Sequence, residues 1–270
     1  MQGNLSKMQA SLETPVKYQL PLGEHLLELN PLIGKRLTLT FNGAINCSNC
    51  GRLTKKSFSQ GHCFPCMKKL ASCDMCILKP ETCHYHAGTC RDPAWGEANC
   101  MATHIVYLAN TAGAKVGITR GTQVPTRWLD QGASQALPIF KVATRQLSGL
   151  VEVALAQHVK DKTNWRALLK SDAEPIDLIA LAAELKPRIE ETLSDLANQH
   201  GDTAWQALDS ELVEIKFPVE SYPTKIVSHN FDKNPVVEGT LQGIKGQYLI
   251  FDTGVINVRK FTSYHVSADF

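Results

Sequence analysis

Nine cysteines, all between Cys47 and Cys100, constrain the fold of this chain more than any other feature of its sequence. Apolar residues are sparse in the same stretch, so a hydrophobic core cannot organise it. The chain starts without the charged head and apolar middle of an export signal, and it contains no run of about 18 apolar residues, so we expect a cytoplasmic protein that does not span a membrane. In a reducing compartment, clustered thiols favour metal ligation over disulfides. We therefore expect this segment to fold around zinc.

The first two cysteine pairs have the spacing of a zinc ribbon. Cys47 and Cys50 form one CxxC unit, Cys63 and Cys66 form another, and twelve residues separate the two units. A single tight turn aims both sulfur atoms of a CxxC unit at one ion, and Zn2+ prefers four ligands in a tetrahedron. Neither pair is sufficient alone, so the sequence predicts one structural zinc site made by all four thiolates.

A second zinc ion is predicted because further thiols and imidazoles follow. We assign its ligands to the next four cysteines of the chain, namely Cys73, Cys76, Cys83 and Cys90. Spacing does not determine connectivity, so cross-braced pairing remains open, as does substitution by His84, His86, Cys100 or His104. For each histidine the alternative is a surface or hydrogen-bonding role. A redox role for the CxxC units is weaker, because thioredoxin-like motifs occur once, at a helix start.

Charge is segregated along the chain. Residues 1–150 hold 16 Lys and Arg against 8 Asp and Glu, a net charge of +8, whereas residues 151–216 hold 7 against 13, a net charge of −6. A basic half is compatible with a phosphate-bearing partner, because neutralised phosphates release counterions. A solvated basic face is the alternative. DNA or RNA is therefore the expected partner.

The order of the patterns predicts an α+β protein in four parts. These are an N-terminal strand region (1–46), a Cys-rich zinc-ribbon-like module (47–103), a small α/β domain with a helical extension (104–216) and a C-terminal β-sheet or small barrel (217–270). In the third part, alternation and turn residues predict a hairpin of strands 104–109 and 114–119, a short helix at 126–130 and a third strand at 136–142.

Two helices are expected after the third strand. Ser148 is a plausible N-cap, which would place Glu152 in the first turn of the helix that follows. Residues 174–200 have the apolar rhythm of one amphipathic helix.

The order of residues between positions 104 and 170 resembles that of GIY-YIG nuclease domains. The resembling residues are Ile105, Tyr107, Lys115, Gly117, Arg127 and Glu152. The resemblance implies that Tyr107 helps to activate water, that Arg127 stabilises the phosphate and that Glu152 holds one divalent ion, Mg2+ or Mn2+. Ile105 stands where the motif has its first glycine, and Lys115 stands where it has its second tyrosine. Lysine cannot accept a hydrogen bond as a phenol does, but it can hold a phosphate, so Lys115 stays a candidate catalytic residue.

The chain as a whole is also similar to a bacterial family of unknown function, the one numbered 2797. The resembling stretches are residues 47–52, 88–96, 115–120, 126–133 and 246–251. This resemblance implies the order of the parts and supplies no activity.

These observations lead to a zinc-containing nucleic-acid-processing protein, with a divalent-metal-dependent endonuclease as the enzymatic hypothesis. The first alternative is a non-catalytic module that binds DNA or RNA through basic and aromatic residues of the zinc segment, namely Arg52, Lys55, Lys56, Lys68, Lys69, Phe58 and Phe64. The second alternative is a protein scaffold anchored by Trp95 and Trp128.

Overall fold

The computed structural model describes residues 1–159 and 164–270. Its strands are β1 (Gln2–Asn4), β2 (Gln9–Ser11), β3 (Lys17–Leu22), β4 (His25–Glu28), β5 (Arg36–Ile45), β6 (His104–Asn110), β7 (Ala114–Arg120), β8 (Gln135–Val142), β9 (Trp205–Ala207), β10 (Val213–Glu214), β11 (Val236–Lys245), β12 (Tyr248–Phe251), β13 (Gly254–Asn257) and β14 (Tyr264–Asp269). Its helices are α1 (Phe64–Lys69), α2 (Pro93–Cys100), α3 (Thr126–Gln131), α4 (Arg145–Ala156), α5 (Trp165–Leu168), α6 (Leu178–Arg188) and α7 (Glu190–His200). None of the described helices is both long and apolar enough to cross a bilayer.

The two ends of the chain meet in one six-stranded sheet of order β1-β14-β5-β11-β12-β13. β5 runs antiparallel to β11 on one side and to β14 on the other, so Leu39 lies opposite both Val237 and Ala268. Leu37 and Leu39 alternate with exposed or half-buried neighbours and point into the core. The expected N-terminal strand region and C-terminal β module therefore share one sheet and one core.

The central sheet has the order β10-β8-β6-β7, and β9 pairs with the same strand β8. Its β6–β7 hairpin, its third strand and the short helix α3 confirm the elements predicted there. The turn forms because Asn110 Oδ1 accepts a hydrogen bond from the backbone N–H of Gly113 at 3.1 Å. Gly113 has a φ of 140°, a conformation that glycine adopts at little cost.

Alternation along β6 sends its side chains into two different cores. Val106 and Leu108 pack with residues of α4, α6 and α7. Tyr107 and Ala109 face the other way, into the core shared with the six-stranded sheet and with the small sheet β2-β3-β4. The central sheet is therefore covered on both faces, and Tyr107 lies on the face opposite the helices.

The start of α4 differs from the prediction. Thr144, not Ser148, is the N-cap, and its Oγ1 accepts a hydrogen bond from the backbone N–H of Leu147 at 3.3 Å. Ser148 lies inside the helix, where its hydroxyl donates to the carbonyl of Arg145. The helix begins earlier because Thr144 already has the extended backbone that a cap needs. Glu152 consequently lies beyond the first turn.

The single helix predicted at 174–200 is wrong, because the chain forms α6 and α7 instead. Asp177 caps α6 through a 2.9 Å bond from the backbone N–H of Ala180. Pro187, near the end of α6, has no N–H to donate, and Ile189 leaves helical geometry with φ −116° and ψ 13°. The break lets both short helices turn their apolar faces toward the central sheet.

The Cys-rich module has almost no hydrophobic core. In the described part of the chain, residues 46–103 contribute no member to the three clusters of buried apolar side chains. Several of its large apolar residues are exposed instead, with Leu53 at 70% and Leu78 at 79% of full exposure. Short helical turns such as Met75–Ile77 and Pro80–Thr82 replace longer elements. This is the arrangement expected where bound metal replaces apolar burial.

Candidate metal centre and candidate catalytic residues

The structure brings together the first four predicted ligands, Cys47, Cys50, Cys63 and Cys66. Their sulfur atoms all lie within 4.8 Å of one another, and the Sγ atoms of Cys50 and Cys63 are 3.8 Å apart. Tetrahedral coordination at about 2.3 Å separates sulfur atoms by about 3.8 Å. The cluster can therefore hold one metal ion, and its donor set is the one that Zn2+ prefers.

Backbone amides prepare this site for anionic sulfur. Burial by itself raises the pKa of Cys47, but the N–H groups of Cys63, Cys50 and Asn49 outweigh it and lower that pKa to about 5. The side chain of Asn49 likewise lowers the pKa of Cys66, but the neighbouring thiols outweigh it and raise that pKa to about 12. Four thiolates can coexist here only beside a cation.

Turn geometry and contacts with the C-terminal strands hold the loops of this cluster. Gly51, with a φ of 70°, donates its N–H to the carbonyl of Cys47 at 2.8 Å and closes the first CxxC turn. Between the two pairs, the carbonyl of Gly61 accepts from the hydroxyl of Ser263 at 2.7 Å. The metal centre is therefore attached to the six-stranded sheet.

The later thiols lie around a second, separate cavity. Three of the four cysteines assigned to a second zinc ion line it, namely Cys76, Cys83 and Cys90. Its fourth thiol is Cys100, and Cys73 is not among the described lining residues. Burial, followed by the charges of Asp74 and the three other cavity thiols, raises the pKa of Cys76 to about 11.

The histidines proposed as alternatives differ in position. His84 lines the cavity, and its ring lies within 4.8 Å of a carboxylate oxygen of Asp74 and the sulfur of Cys76. His104 is fully buried on β6 and has its Nδ1 atom 2.7 Å from the carbonyl of Ala102. His86 packs edge-on against Tyr85. Neither His86 nor His104 is among the described residues that line the cavity.

Tyr107, Gln131 and Arg127 form a connected polar group between β6 and α3. With the Gln131 amide oriented to satisfy both of its polar atoms, Nε2 donates to Tyr107 Oη at 2.9 Å. In the same orientation Oε1 accepts from Arg127 Nη2 at 3.1 Å and from Arg127 Nε at 3.2 Å. The strand tyrosine and the helix arginine, which are twenty positions apart in sequence, are thus joined through one amide.

Gly117 makes room for the Tyr107 ring. The two residues are direct partners in the β6–β7 ladder, and a Cβ atom built on Gly117 would lie 2.6 Å from Tyr107 Cζ. Tyr107 is fully buried, and burial raises its pKa to about 12, with Glu152 adding to the rise and Arg127 opposing it. At neutral pH the phenol is therefore protonated and acts as a hydrogen-bonding group, not as a base.

Glu152 and Lys115 lie on elements that border this group. Glu152, half-buried on α4, is close enough for its charge to raise the pKa of Tyr107 and of Arg145. Lys115, also half-buried, precedes Gly117 by two positions on β7 and so lies on the same face of the strand. The charge of Glu152 acts on Tyr107, although α4 packs on the face of the central sheet opposite Tyr107.

Three residues of this region were missed by the sequence analysis: Gln131, Arg145 and Arg259. Burial lowers the pKa of Arg145 and of Arg259, and the charge of Arg127 lowers both further. Arg145 on α4 and Arg259 in the turn after β13 are therefore each close enough to Arg127 on α3 for its charge to act on them. Gln131, one helical turn after Arg127, could have been suspected from spacing. No sequence pattern indicated that Arg259 lies near Arg127, because more than a hundred residues separate Arg259 from α3.

Comparison with models of protein families shows to which family the chain is related. The model described as Protein of unknown function (DUF2797) matches residues 34–266. The chain belongs to this family. Comparison with curated proteins and with solved structures gave no match. The DUF2797 match includes both cysteine clusters and the Tyr107 region, and it confirms the family resemblance without assigning an activity.

Proposed function

We propose that this DUF2797 protein binds nucleic acid and cleaves phosphodiester bonds with the help of a divalent metal ion, on a scaffold held by zinc at Cys47, Cys50, Cys63 and Cys66. The observation that carries the proposal is the linked group of Tyr107, Gln131 and Arg127 with Glu152 in electrostatic reach. The resemblance to GIY-YIG nucleases independently implies a catalytic role for Tyr107, Arg127 and Glu152.

Each residue type suits one part of the chemistry. Cleavage joins a water oxygen to phosphorus and breaks the bond to the leaving oxygen, which takes up a proton. Negative charge grows on the phosphate oxygens, where the half-buried guanidinium of Arg127 can stabilise it. Tyr107 is fully buried and protonated, so we assign it to positioning Arg127 through Gln131.

Glu152 is the residue assigned to the divalent metal. A carboxylate at a half-buried position fits Mg2+, which binds one or two carboxylates and keeps several waters. Bound Mg2+ or Mn2+ would supply an activated water and neutralise charge on the phosphate. Lys115 borders the same region, and we assign it to holding a neighbouring phosphate as a point charge.

The test is a cleavage assay with labelled single- and double-stranded DNA and RNA, in Mg2+ or Mn2+. We expect Glu152→Gln to abolish cleavage, and Arg127→Ala to slow it by about 100- to 1,000-fold, the usual effect of removing one transition-state donor. Matched controls are Glu184→Gln and Arg188→Ala, because these two residues form an exposed ion pair within α6. Both controls should cleave at the wild-type rate. Equal cleavage by wild type and Glu152→Gln, or none by wild type, contradicts the proposal.

A second candidate, binding without cleavage, is favoured by a basic and aromatic patch next to the first metal centre. The rings of Phe58 and Phe64 pack with centroids 5.5 Å apart, and Phe64 is 48% exposed. Lys56 lies over the Phe58 ring and Lys68 over the Phe64 ring, at 5.5 and 5.1 Å from the centroids. An exposed ring beside a half-buried one, both bordered by lysines, suits stacking on unpaired bases.

Binding can be separated from cleavage by salt dependence and charge reversal. If the patch is the binding surface, affinity for single strands should fall steeply as salt rises, survive Glu152→Gln and be lost in Lys56→Glu/Lys68→Glu. Lys17→Glu, at an exposed position outside the patch, is the matched control. Absence of nucleic-acid binding at low salt would contradict both candidates.

A further inference from the structure

The Cys-rich segment has more thiols than its first metal centre uses, and four of the others surround one further cavity. They line a cavity of about 10 Å³, roughly the space of one water-sized sphere. Each comes from a different local element: the turn Met75–Ile77, the end of the turn Pro80–Thr82, the loop before α2, and the last residue of α2. The residues are Cys76, Cys83, Cys90 and Cys100.

We propose that Cys76, Cys83, Cys90 and Cys100 bind a second zinc ion as an all-thiolate structural site. Four sulfur donors line a space for one ion, and four thiolates are a usual ligand set of structural zinc. The ligand atoms that already lie within 4.8 Å of one another here are those of Asp74, Cys76 and His84, so the four sulfur atoms would close around the ion on binding. The site does not depend on the proposed cleavage, because it would be equally necessary in a non-catalytic protein. Cys100 takes the place that spacing had assigned to Cys73.

The competing ligands of this cavity already have partners. Asp74, which lies near Cys76 and His84, pairs with Arg91 through a 2.6 Å contact between Oδ2 and Nε. His84 has its Nδ1 atom 2.8 Å from the hydroxyl of Thr89. These contacts engage Asp74 Oδ2 and His84 Nδ1, so we assign both residues to hydrogen bonding around the sulfur ligands, the role that residues around a metal site usually have.

The neighbourhood of the cavity needs an organising ion. Met75 and Leu78, which flank Cys76, are 60% and 79% exposed and cannot supply apolar burial. The two short turns and α2 contain few backbone hydrogen bonds that would hold them to one another. One zinc ion would join all four pieces of chain and contribute folding free energy directly.

The second site would also support the helix that carries Glu152. Gln146 on α4 donates to the carbonyl of Cys83 at 3.0 Å, and Arg145 donates to the carbonyl of Ile77 at 2.7 Å. Gly149 packs directly on the backbone of the Pro80–Thr82 turn. Loss of the second ion should therefore loosen α4 while leaving the first metal centre intact.

The first experiment uses the native chain. Elemental analysis should find two zinc ions per chain. Titration of metal-free protein with Co2+ should give the absorption of all-thiolate tetrahedral cobalt for both equivalents. One ion per chain overturns the proposal. So does a second equivalent with the weaker sulfur-to-metal absorption of a single-thiolate site, which Asp74, Cys76 and His84 would form.

The second experiment compares single cysteine variants. Cys90→Ser and Cys100→Ser should each halve the zinc content and increase hydrogen exchange in α4. Cys73→Ser is the matched control, since this thiol lies in the same segment outside the cavity, and it should keep both ions. Loss of zinc in Cys73→Ser together with retention in Cys100→Ser overturns the assignment. If a variant does not fold, the cobalt titration of the native chain still decides the outcome.

Discussion

Single atoms decide whether Tyr107 can reach Gln131 and Arg127. Tyr107 reaches Gln131 because Gly117, its partner across the β6–β7 ladder, has no side chain. His104, the first residue of β6, is also buried, and its Nε2 atom has no hydrogen-bond partner among the described residues. Substitutions at Gly117 and at His104 therefore test two things separately: the packing around Tyr107 and the effect of burial on the pKa of His104.

Gly117→Ala should displace the Tyr107 ring. The new Cβ would lie 2.6 to 2.9 Å from ring and hydroxyl atoms that are fully buried, so we expect a loss of about 1–3 kcal/mol in the free energy of unfolding, as for other overpacked cores. Denaturant unfolding measures the loss, and cleavage should fall with it. Gly121→Ala is the control, because its Cβ would meet its nearest neighbour at 3.6 Å. Equal stability of both variants would contradict the predicted clash.

His104 should make the protein sensitive to acid. Burial, together with the charges of Arg145 and Arg120, lowers its pKa to about 4. Below its usual pKa of about 6.5 the unfolded chain takes up a proton that the folded chain does not, so stability present at neutral pH is lost as the pH falls toward about 4. Between about pH 7 and pH 5 this amounts to roughly 2 kcal/mol.

The comparison variant for this pH dependence is His104→Gln, which keeps a donor toward the carbonyl of Ala102 and does not titrate. Unfolding of both proteins is followed by denaturant titration with zinc in excess. We expect the wild type to lose more stability than the variant on acidification. Parallel losses in the two proteins would contradict a buried, neutral His104.

At the scale of elements, the contact between α4 and the turn Pro80–Thr82 links the Cys-rich module to the central domain. A glycine in the middle of a helix is ordinarily unfavourable. Here Gly149 allows the turn to approach, because a Cβ at this position would lie 2.6 Å from the backbone nitrogen of Glu81 and 2.7 Å from Pro80 Cβ. Close packing, not helix propensity, explains this residue.

Gly149→Ala should therefore destabilise the protein, although alanine is the better helix former by about 1 kcal/mol. Backbone and proline-ring atoms cannot rotate away, so an overpacking cost of about 1–3 kcal/mol should exceed that gain. Thermal unfolding measures the net change in stability that results from the overpacking cost and the gain in helix propensity. Val153→Ala, at a 45% exposed position of the same helix, should change stability little. A Gly149→Ala variant more stable than wild type would show that the contact is loose.

At the scale of the whole molecule, the two ends of the chain hold the helix that carries Arg127. Asp130 on α3 is 5% exposed, and it accepts from Lys7 Nζ at 2.7 Å and from Gln247 Nε2 at 2.9 Å. Gln247 also binds both backbone polar groups of Met8. The N-terminal segment, the C-terminal hairpin and the central domain thus meet at one buried carboxylate.

Lys7→Met should weaken this connection. It leaves the Asp130 carboxylate buried with one partner fewer, and we expect a loss of about 1–3 kcal/mol in the free energy of unfolding, the usual cost of a buried acceptor deprived of a charged donor. Lys17→Met is the matched control, because Lys17 and Glu13 form an exposed pair, and such pairs contribute about 0–1 kcal/mol. Denaturant unfolding compares the two variants. Equal losses would mean that Asp130 is not held by Lys7.

What the sequence determined by itself is local. The CxxC units, the Asn110–Gly113 turn and the positions of three central strands along the chain follow from spacing, turn chemistry and periodicity within a few residues. The tertiary structure alone decided which distant groups meet: Cys100 at the second cavity, Tyr107 joined through Gln131 to Arg127, Arg259 near Arg127, and β5 between β11 and β14. These depend on how elements pack against one another, and spacing along a chain carries no information about packing between elements.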